Sequence, residues 1–146
     1  MHHVDEHRRL ILVADDNAEI REYFRSVLTE AGYGVLQAAD GELAALLART
    51  YRPDLVLMDV AMPIMDGLRA MELLRLDPRT EHLPVIAVSG YGLVGAAMRR
   101  AGFQAVLSKP VLAAELLSAV RCWIELAPGA TLSRAVADLR SEGVDP

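Results

Sequence analysis

Four runs of consecutive apolar residues in this chain each end in a polar or charged side chain. The runs cover residues 10–14, 55–58, 85–88 and 105–107. Unbroken apolar runs of this length are typical of strands that are buried on both faces of a parallel sheet. The groups that follow the runs are Asp15 with Asp16, Asp59, Ser89, and Lys109. A fold that contains these four strands must therefore accommodate a set of polar groups at the strand ends.

Segments with helical spacing separate these runs. Helices are predicted to begin at Asp16-Asn17, at Asp40, at Asp66-Gly67, near Leu93 and just after Pro110. A short strand over residues 35–38 lies between the first two helices. Strands that alternate with helices pair in parallel through right-handed crossovers. The sequence thus predicts one α/β domain, a doubly wound five-stranded parallel sheet with helices on both faces.

The polar groups at the strand ends predict a binding site. In doubly wound sheets, ligands bind at the carboxyl ends of the strands. Each of these groups alone could be an ordinary loop residue, the usual fate of an acid near a turn. Five compatible groups on one edge of a sheet, with three acids among them, favour a common function.

The three acids favour a divalent cation, because neighbouring carboxylates repel one another and raise their pKa values unless a cation is present. Ligands that are all oxygen atoms indicate a hard cation, and Mg²⁺ typically uses one or two carboxylates, waters and a phosphate. We predict Mg²⁺ as the cofactor. Its predicted ligands are Asp15, Asp16, Asp59 and the backbone carbonyl of Ala61.

The remaining groups suit phosphoryl transfer to a carboxylate. Asp59 can attack phosphorus in line and form an aspartyl phosphate. Lys109 would neutralise one phosphoryl oxygen, and Ser89 would donate a hydrogen bond to another. The predicted catalytic set is therefore Asp59 as phosphoacceptor, with Lys109 and Ser89.

Composition excludes several other classes of protein. The chain has 146 residues, of which 53% are hydrophobic and 24% are charged, and its net charge is -5. This acidic balance argues against nucleic acid as a partner. The longest weakly polar stretch, residues 85–98, is too short and too interrupted to span a bilayer, so a cytoplasmic location without membrane contact is predicted. The single Cys122 suits a reducing compartment and is predicted to be a small buried hydrophobe in a helix.

In their order and context these motifs resemble the receiver domains of two-component response regulators. The motifs are Asp15-Asp16, Asp59 with Met62-Pro63 and Asp66-Gly67, Ser89-Gly90, and Lys109-Pro110. The resemblance implies a CheY-like sheet with strand order 2-1-3-4-5 and a cis peptide before Pro110. It also implies that Asp59 accepts a phosphoryl group from a sensor histidine kinase or a histidine phosphotransfer protein. Such a protein is a signalling phosphoacceptor and not an enzyme in the ordinary sense.

The resemblance covers residues 10–126, which we predict to be the receiver domain. Residues 1–9 are predicted to be a flexible N-terminal segment. Residues 127–146 are predicted to be a C-terminal extension that can form one short amphipathic helix. The resemblance suggests a stand-alone regulator that binds a downstream protein through its last two helices and the Lys109 strand. A homodimer is left open by the sequence.

One position departs from the pattern of the family. Receivers usually carry Tyr or Phe three residues before the lysine, and that ring moves inward on activation. Val106 stands at this position, and a β-branched side chain has no ring to move. Tyr91 is a candidate substitute, although it could equally cap the pocket or face solvent.

Parts of the sequence are compatible with three other interpretations. Gly90, Gly92 and Gly95 fit a dinucleotide-binding pattern, but the next strand ends in Ser108-Lys109-Pro110, where an acid would be needed for the ribose. An aspartate-nucleophile phosphatase would need a second Asp at the position of Ala61. A receiver fold that binds partners without phosphorylation is the remaining alternative; Val106 favours it, and intact Asp59 and Lys109 weigh against it.

Overall fold

The computed structural model describes residues 8–90 and 95–125, in which five strands alternate with five helices. The strands are β1 (Leu10–Ala14), β2 (Gly34–Ala38), β3 (Leu55–Asp59), β4 (Val85–Ser89) and β5 (Ala105–Ser108). The helices are α1 (Ala18–Glu30), α2 (Gly41–Tyr51), α3 (Gly67–Leu76), α4 (Gly95–Arg100) and α5 (Ala113–Glu125). All strand pairs are parallel, and their order is β2-β1-β3-β4-β5. The predicted fold class and strand order are confirmed.

Helices cover both faces of the sheet. Successive residues of β1 point to opposite faces, so that Ile11 and Val13 pack beneath α1 and α5 while Leu12 packs beneath α2, α3 and α4. Every residue of β3 and β4 is buried. Burial on both faces explains why these strands are continuous apolar runs, and it leaves the strand ends as the place where polar groups occur.

Polar caps fix the starts of the first three helices close to the carboxyl edge of the sheet. The Asn17 side chain accepts hydrogen bonds from the amides of Glu19 at 2.8 Å and Ile20 at 3.1 Å. Asp40 and Asp66 accept in the same way from the amides of residues 43 and 69. These bonds satisfy amides that have no partner within the helix. The predicted starts of α1, α2 and α3 are confirmed, with Asn17 as the N-cap of α1.

The loop between β3 and α3 packs tightly beneath Asp59. The amide of Gly67 donates to the carbonyl of Val60 at 2.9 Å, and the amide of Gly41 donates to the carbonyl of Met65 at 2.9 Å. A Cβ atom at Gly67 would lie 2.5 Å from the backbone oxygen of Asp59. Glycine is therefore required at this point for the chain to turn directly from Asp59 into α3.

At the opposite edge, Arg75 joins the end of α3 to the starts of β4 and β5. Its guanidinium donates to the carbonyls of Leu83 at 2.8 Å and Gly102 at 2.9 Å, and to further backbone oxygens of the α3–β4 connection. Burial lowers the pKa of Arg75. Because no carboxylate of the described chain pairs with it, the cation is satisfied by carbonyl dipoles, and its role is structural.

The structure corrects one prediction, because Cys122 lies on α5 but is exposed. The buried residues of α5 are Leu116, Val120 and Ile124, which follow one another at intervals of four. Cys122 lies halfway between the last two of these, about 200° around the helix from each, and therefore faces outward. Along the part of the chain that the structure describes, no helix combines the length and the apolar character needed to cross a membrane.

The predicted start of the fourth helix near Leu93 lies outside the described residues, as do residues 1–7 of the N-terminal segment and residues 127–146. The domain boundaries therefore remain predictions.

We expect Gly67→Ala to lower the free energy of unfolding by about 1–3 kcal/mol, because the added methyl group would overlap the backbone of Asp59. Urea denaturation measures this change. Gly34→Ala is the matched control, since its Cβ would lie 3.4 Å from the Leu10 side chain, an ordinary contact, and its effect should stay within about 1 kcal/mol. Equal effects of the two substitutions would contradict the tight packing inferred for the β3–α3 loop.

Candidate functional site

The structure brings the three predicted acids together at the carboxyl edge of the sheet. One carboxylate oxygen from each of Asp15, Asp16 and Asp59 lies within 4.8 Å of the others. Asp15 and Asp59 are buried, whereas Asp16 is exposed. The acids follow β1 and end β3, and these strands are neighbours in the sheet. Their proximity is thus a direct consequence of the strand order.

Lys109, which follows the edge strand β5, contacts the same cluster. Its Nζ lies 3.0 Å from Asp15 Oδ2 and 3.3 Å from Asp59 Oδ2. The amide of Lys109 donates to the carbonyl of Ser89 at 2.8 Å, which joins the ends of β4 and β5. The peptide between Lys109 and Pro110 is cis, as the resemblance implied. One ammonium group therefore contacts two of the three carboxylates.

Each buried carboxylate is held by a backbone amide two residues further along the chain. Asp15 Oδ1 accepts from the amide of Asn17 at 2.9 Å, and Asp59 Oδ1 accepts from the amide of Ala61 at 3.1 Å. In both residues the other oxygen, Oδ2, is the one that contacts Lys109. The two side chains are thus fixed by the turns that follow β1 and β3, and their Oδ2 atoms converge.

The electrostatics of the cluster favour an additional cation. Burial raises the pKa of Asp59, and the neighbouring Asp15 raises it further, while the Ala61 amide and Lys109 act in the opposite direction. Burial alone would lower the pKa of Lys109, but the two carboxylates outweigh it and the pKa is raised. Lys109 is therefore a firmly charged ammonium beside three acids. A single positive charge does not balance the cluster.

The donor set fits a hard divalent cation such as Mg²⁺. Asp15 Oδ2 is buried and, within the described residues, accepts no hydrogen bond, although it has the ionic contact with Lys109. A buried carboxylate oxygen without a hydrogen bond is costly unless a charge compensates it. All three side chains offer oxygen atoms, which is the ligand type that Mg²⁺ prefers.

Arg21 is a residue of the site that sequence reasoning missed. Its Nη1 donates to the backbone oxygen of Asp15 at 2.7 Å, and its Nε donates to the Gln37 side chain at 3.3 Å. Arg21 therefore connects α1 to β2 and to the backbone of Asp15, one of the three acids. The only sequence signal was its place on the first turns of α1, where several polar residues look alike.

The remaining predicted residues are placed in part. Ser89 is buried at the end of β4, next to β5. Val106 on β5 is half-buried and packs against the core beneath α2, α3 and α4. Gly90 is exposed, and among the described residues an added Cβ there would meet only the Lys109 side chain, at 3.9 Å. Tyr91 and Gly92 lie outside the described residues, so the substitute-aromatic and dinucleotide hypotheses stay predictions.

Comparison with known proteins identifies the class to which this fold and this acid cluster belong. The family model described as response regulator receiver domain matches residues 11–121. The chain therefore belongs to the receiver domains of two-component signalling.

Individual relatives agree with this class. The polar-differentiation response regulator DivK of Brucella anthropi is 31% identical over 116 residues, covering 78% of this chain and 94% of that protein. The receiver domain of the sensor histidine kinase PA1611 of Pseudomonas aeruginosa PAO1 has a TM-score of 0.75 and 32% identity, covering 81% of this chain and 98% of that one. That structure holds a magnesium ion coordinated in its active-site cleft. Chemotaxis protein CheY4 of Vibrio cholerae has a TM-score of 0.75 and 27% identity over 80% of this chain and 98% of that one.

The raised pKa of Asp59 predicts a dependence of stability on pH. Between the unfolded and the folded pKa of Asp59 the folded chain binds more protons, so its stability falls as the pH rises through this window. In metal-free buffer near pH 7 we expect Asp59→Asn to be more stable than the parent chain. The difference should shrink as the pH falls through the folded pKa towards the unfolded one.

Thermal denaturation at a series of pH values measures this difference. Glu125→Gln, which removes an exposed carboxylate at the end of α5, is the control. An Asp59→Asn variant less stable than the parent chain at pH 7 would show that ionised Asp59 is not under electrostatic stress.

Proposed function

We propose that this protein is a phosphoacceptor response regulator, in which Asp59 receives a phosphoryl group from a histidine kinase or a histidine phosphotransfer protein. The observation that carries the proposal is the convergence of Asp15, Asp59 and Lys109 at ion-pair distances beside the exposed Asp16. Membership of the receiver family supports the same function.

The acid cluster would hold Mg²⁺ through Asp15, Asp16 and Asp59, with the backbone carbonyl of Ala61 as a further ligand. When bound, Mg²⁺ neutralises charge on phosphoryl oxygens that would otherwise be repelled by the acids. The buried Oδ2 of Asp15, which accepts no hydrogen bond within the described residues, supports this assignment, as does the magnesium ion in the related receiver of PA1611. Asp16 is exposed and can bind the cation without rearrangement of the core.

In the transfer step, a carboxylate oxygen of Asp59 forms a bond to the phosphorus of a phosphohistidine as the bond from phosphorus to the imidazole nitrogen breaks. The electron pair of that bond stays on the nitrogen. The product on this chain is an aspartyl phosphate. The Ala61 amide holds Oδ1 of Asp59, which leaves Oδ2, near Lys109, as the better placed nucleophile.

Lys109 and Ser89 would stabilise the phosphoryl group. Lys109 is already charged and 3.3 Å from Asp59 Oδ2, so a short movement of its flexible side chain would reach a phosphoryl oxygen. Ser89 lies at the end of β4, the neighbour of β3, and its hydroxyl would donate to another oxygen. Phosphorylation then changes partner binding, and the protein assists its own phosphorylation and dephosphorylation without being a metabolic enzyme.

We place the protein in the cytoplasm, with a downstream protein bound by α4, β5 and α5. Within the predicted surface, Ala96 and Arg99 are exposed, whereas Met98 is buried and Ala97 packs against the core. Met98 is therefore not available to a partner, whereas Ala96 and Arg99 are, and Arg99 adds a positive charge to this part of the surface.

Val106 supports a second candidate, a receiver fold that binds partners without phosphorylation. The half-buried Val106 has no ring to rearrange, so the aromatic movement of other receivers is not available at this position. If Tyr91 supplies the moving ring, Tyr91→Ala will abolish the phosphorylation-dependent change in partner binding. Binding that is the same before and after phosphorylation of the parent chain would favour the second candidate.

We expect incubation with Mg²⁺ and acetyl phosphate to add one acid-labile phosphoryl group to the protein, because Asp59 is a buried nucleophile beside a cation. Intact mass spectrometry detects the adduct. Asp59→Asn should abolish it. Asp66→Asn is the matched control, because Asn serves equally well as the N-cap of α3, and this variant should be labelled like the parent chain.

Asp16→Asn should weaken Mg²⁺ binding by about tenfold or more, because it removes a charged ligand from the cluster. Asp16 is exposed, so the fold should be unaffected. Titration calorimetry with MgCl₂ measures the affinity, and Asp66→Asn again serves as the control. Unchanged affinity in Asp16→Asn would remove Asp16 from the ligand set, and the labelling experiment above would still decide the role of Asp59.

A further inference from the structure

The exposed large hydrophobic residues of this chain are concentrated on two helices. Five of the eight in the described part lie on α2 and α3, namely Leu43, Leu46, Tyr51, Leu68 and Leu76. Leu76 is 78% exposed and Leu46 is 50% exposed. Neither residue contributes to the acid cluster. A role in association would account for apolar groups that solvent disfavours.

Leu43, Leu46 and Leu76 share one surface, which we call the α2–α3 face. The buried side of α2 is formed by Ala44, Ala45 and Ala48. At 100° per residue, Leu43, Leu46 and Thr50 lie on the opposite side of this helix. On α3, the buried residues Ala70, Met71 and Leu74 likewise place Leu76, Arg69 and Glu72 outward. Both helices connect parallel strands, so they run in the same direction and present one continuous surface.

The two ends of the α2–α3 face carry opposite charge. Asp40, Glu42 and Asp66 lie at the N-terminal ends of the helices. Arg49, Arg52 and Arg79 lie at the C-terminal ends or just beyond. Two acids, Asp77 and Glu81, lie among them, and Arg69 lies among the acids of the other end, so the opposite charges are partial. Arg79 holds the pKa of Asp77 at about 2. Asp77 pairs mainly with Arg79, at 2.7 Å, while Arg49 is 4.0 Å away and remains largely available to another acid.

We propose that the α2–α3 face is a homodimer interface in which a second copy of the chain packs antiparallel across a two-fold axis. Such an axis places the acidic end of each protomer opposite the basic end of its partner. Glu42 and Arg49 are about 10 Å apart along α2, so each lies about 5 Å from the midpoint between them. An axis through that point brings each Glu42 to the partner's Arg49, with Leu46 near the centre. Arg69 and Glu72 of α3 would also exchange partners across the axis.

The size of the face sets the strength of the dimer. Two helices of 11 and 10 residues present a surface of about 16 Å by 20 Å. An interface of this size falls below the usual range for stable complexes, so the dimer should be weak. The charge pattern would then determine the orientation of the copies more than their affinity.

Sedimentation equilibrium of the full chain, from about 10 μM to about 1 mM, tests the proposal. We expect concentration-dependent dimers in the parent chain. Arg49→Glu should weaken association about tenfold or more, because it places two acids opposite each other at both symmetric contacts. Combining Arg49→Glu with Glu42→Arg restores opposite charges at both contacts and should restore the dimer.

Two further variants keep the outcome interpretable. Leu76→Glu should reduce association without affecting the fold, since Leu76 is almost fully exposed. Arg121→Glu, a matched charge reversal at an exposed position of α5, should leave association unchanged. A chain that is monomeric throughout the range would overturn the proposal. So would dimers that resist both Arg49→Glu and Leu76→Glu, because they would have to form through another surface.

Discussion

The contact of one ammonium group with two buried carboxylates is the interaction on which the rest of the site depends. Lys109 Nζ lies within 3.3 Å of both Asp15 Oδ2 and Asp59 Oδ2. Without it, two acids would be buried side by side with no compensating charge, which a marginally stable domain tolerates poorly. The contact needs β1, β3 and β5 to end at one edge of the sheet. The parallel topology is therefore a precondition for the chemistry as well as for the core.

Much of this arrangement could be predicted from the sequence, because it depends on local signals. Continuous apolar runs fix the strands, and Asn17, Asp40 and Asp66 cap the first three helices. What remained hidden depends on contacts between distant residues. Arg21 supports the backbone of Asp15 from α1, and Arg75 joins the α3–β4 and α4–β5 connections, but each resembles an ordinary surface arginine in the sequence. Asp15 and Asp16 are another example, because they are adjacent in the chain but only Asp15 is buried.

The site and the surfaces of the protein are largely separate. The acid cluster is rigidly held by turns and by the β3–α3 loop, where Gly67 and Gly41 allow the backbone to pack closely. Val106, in contrast, offers no ring through which the cluster could act on the α4–β5–α5 surface. The apolar α2–α3 face lies beside the β3–α3 loop, since Gly41 at the start of α2 bonds to Met65 in that loop. The acid cluster therefore matches the receiver pattern more closely than Val106 does.

The central claim is that Asp59, and none of the acids beside it, carries the phosphoryl group. Borohydride reduction of the protein after treatment with Mg²⁺ and acetyl phosphate converts an aspartyl phosphate into homoserine, which peptide mass spectrometry locates in the chain. We predict homoserine at position 59 alone, because Asp59 ends β3, the neighbour of the strand that carries Ser89, and contacts Lys109, whereas Asp15 and Asp16 follow β1. Homoserine at position 15 or 16, or at no position while the untreated chain is folded and binds Mg²⁺, would contradict the claim.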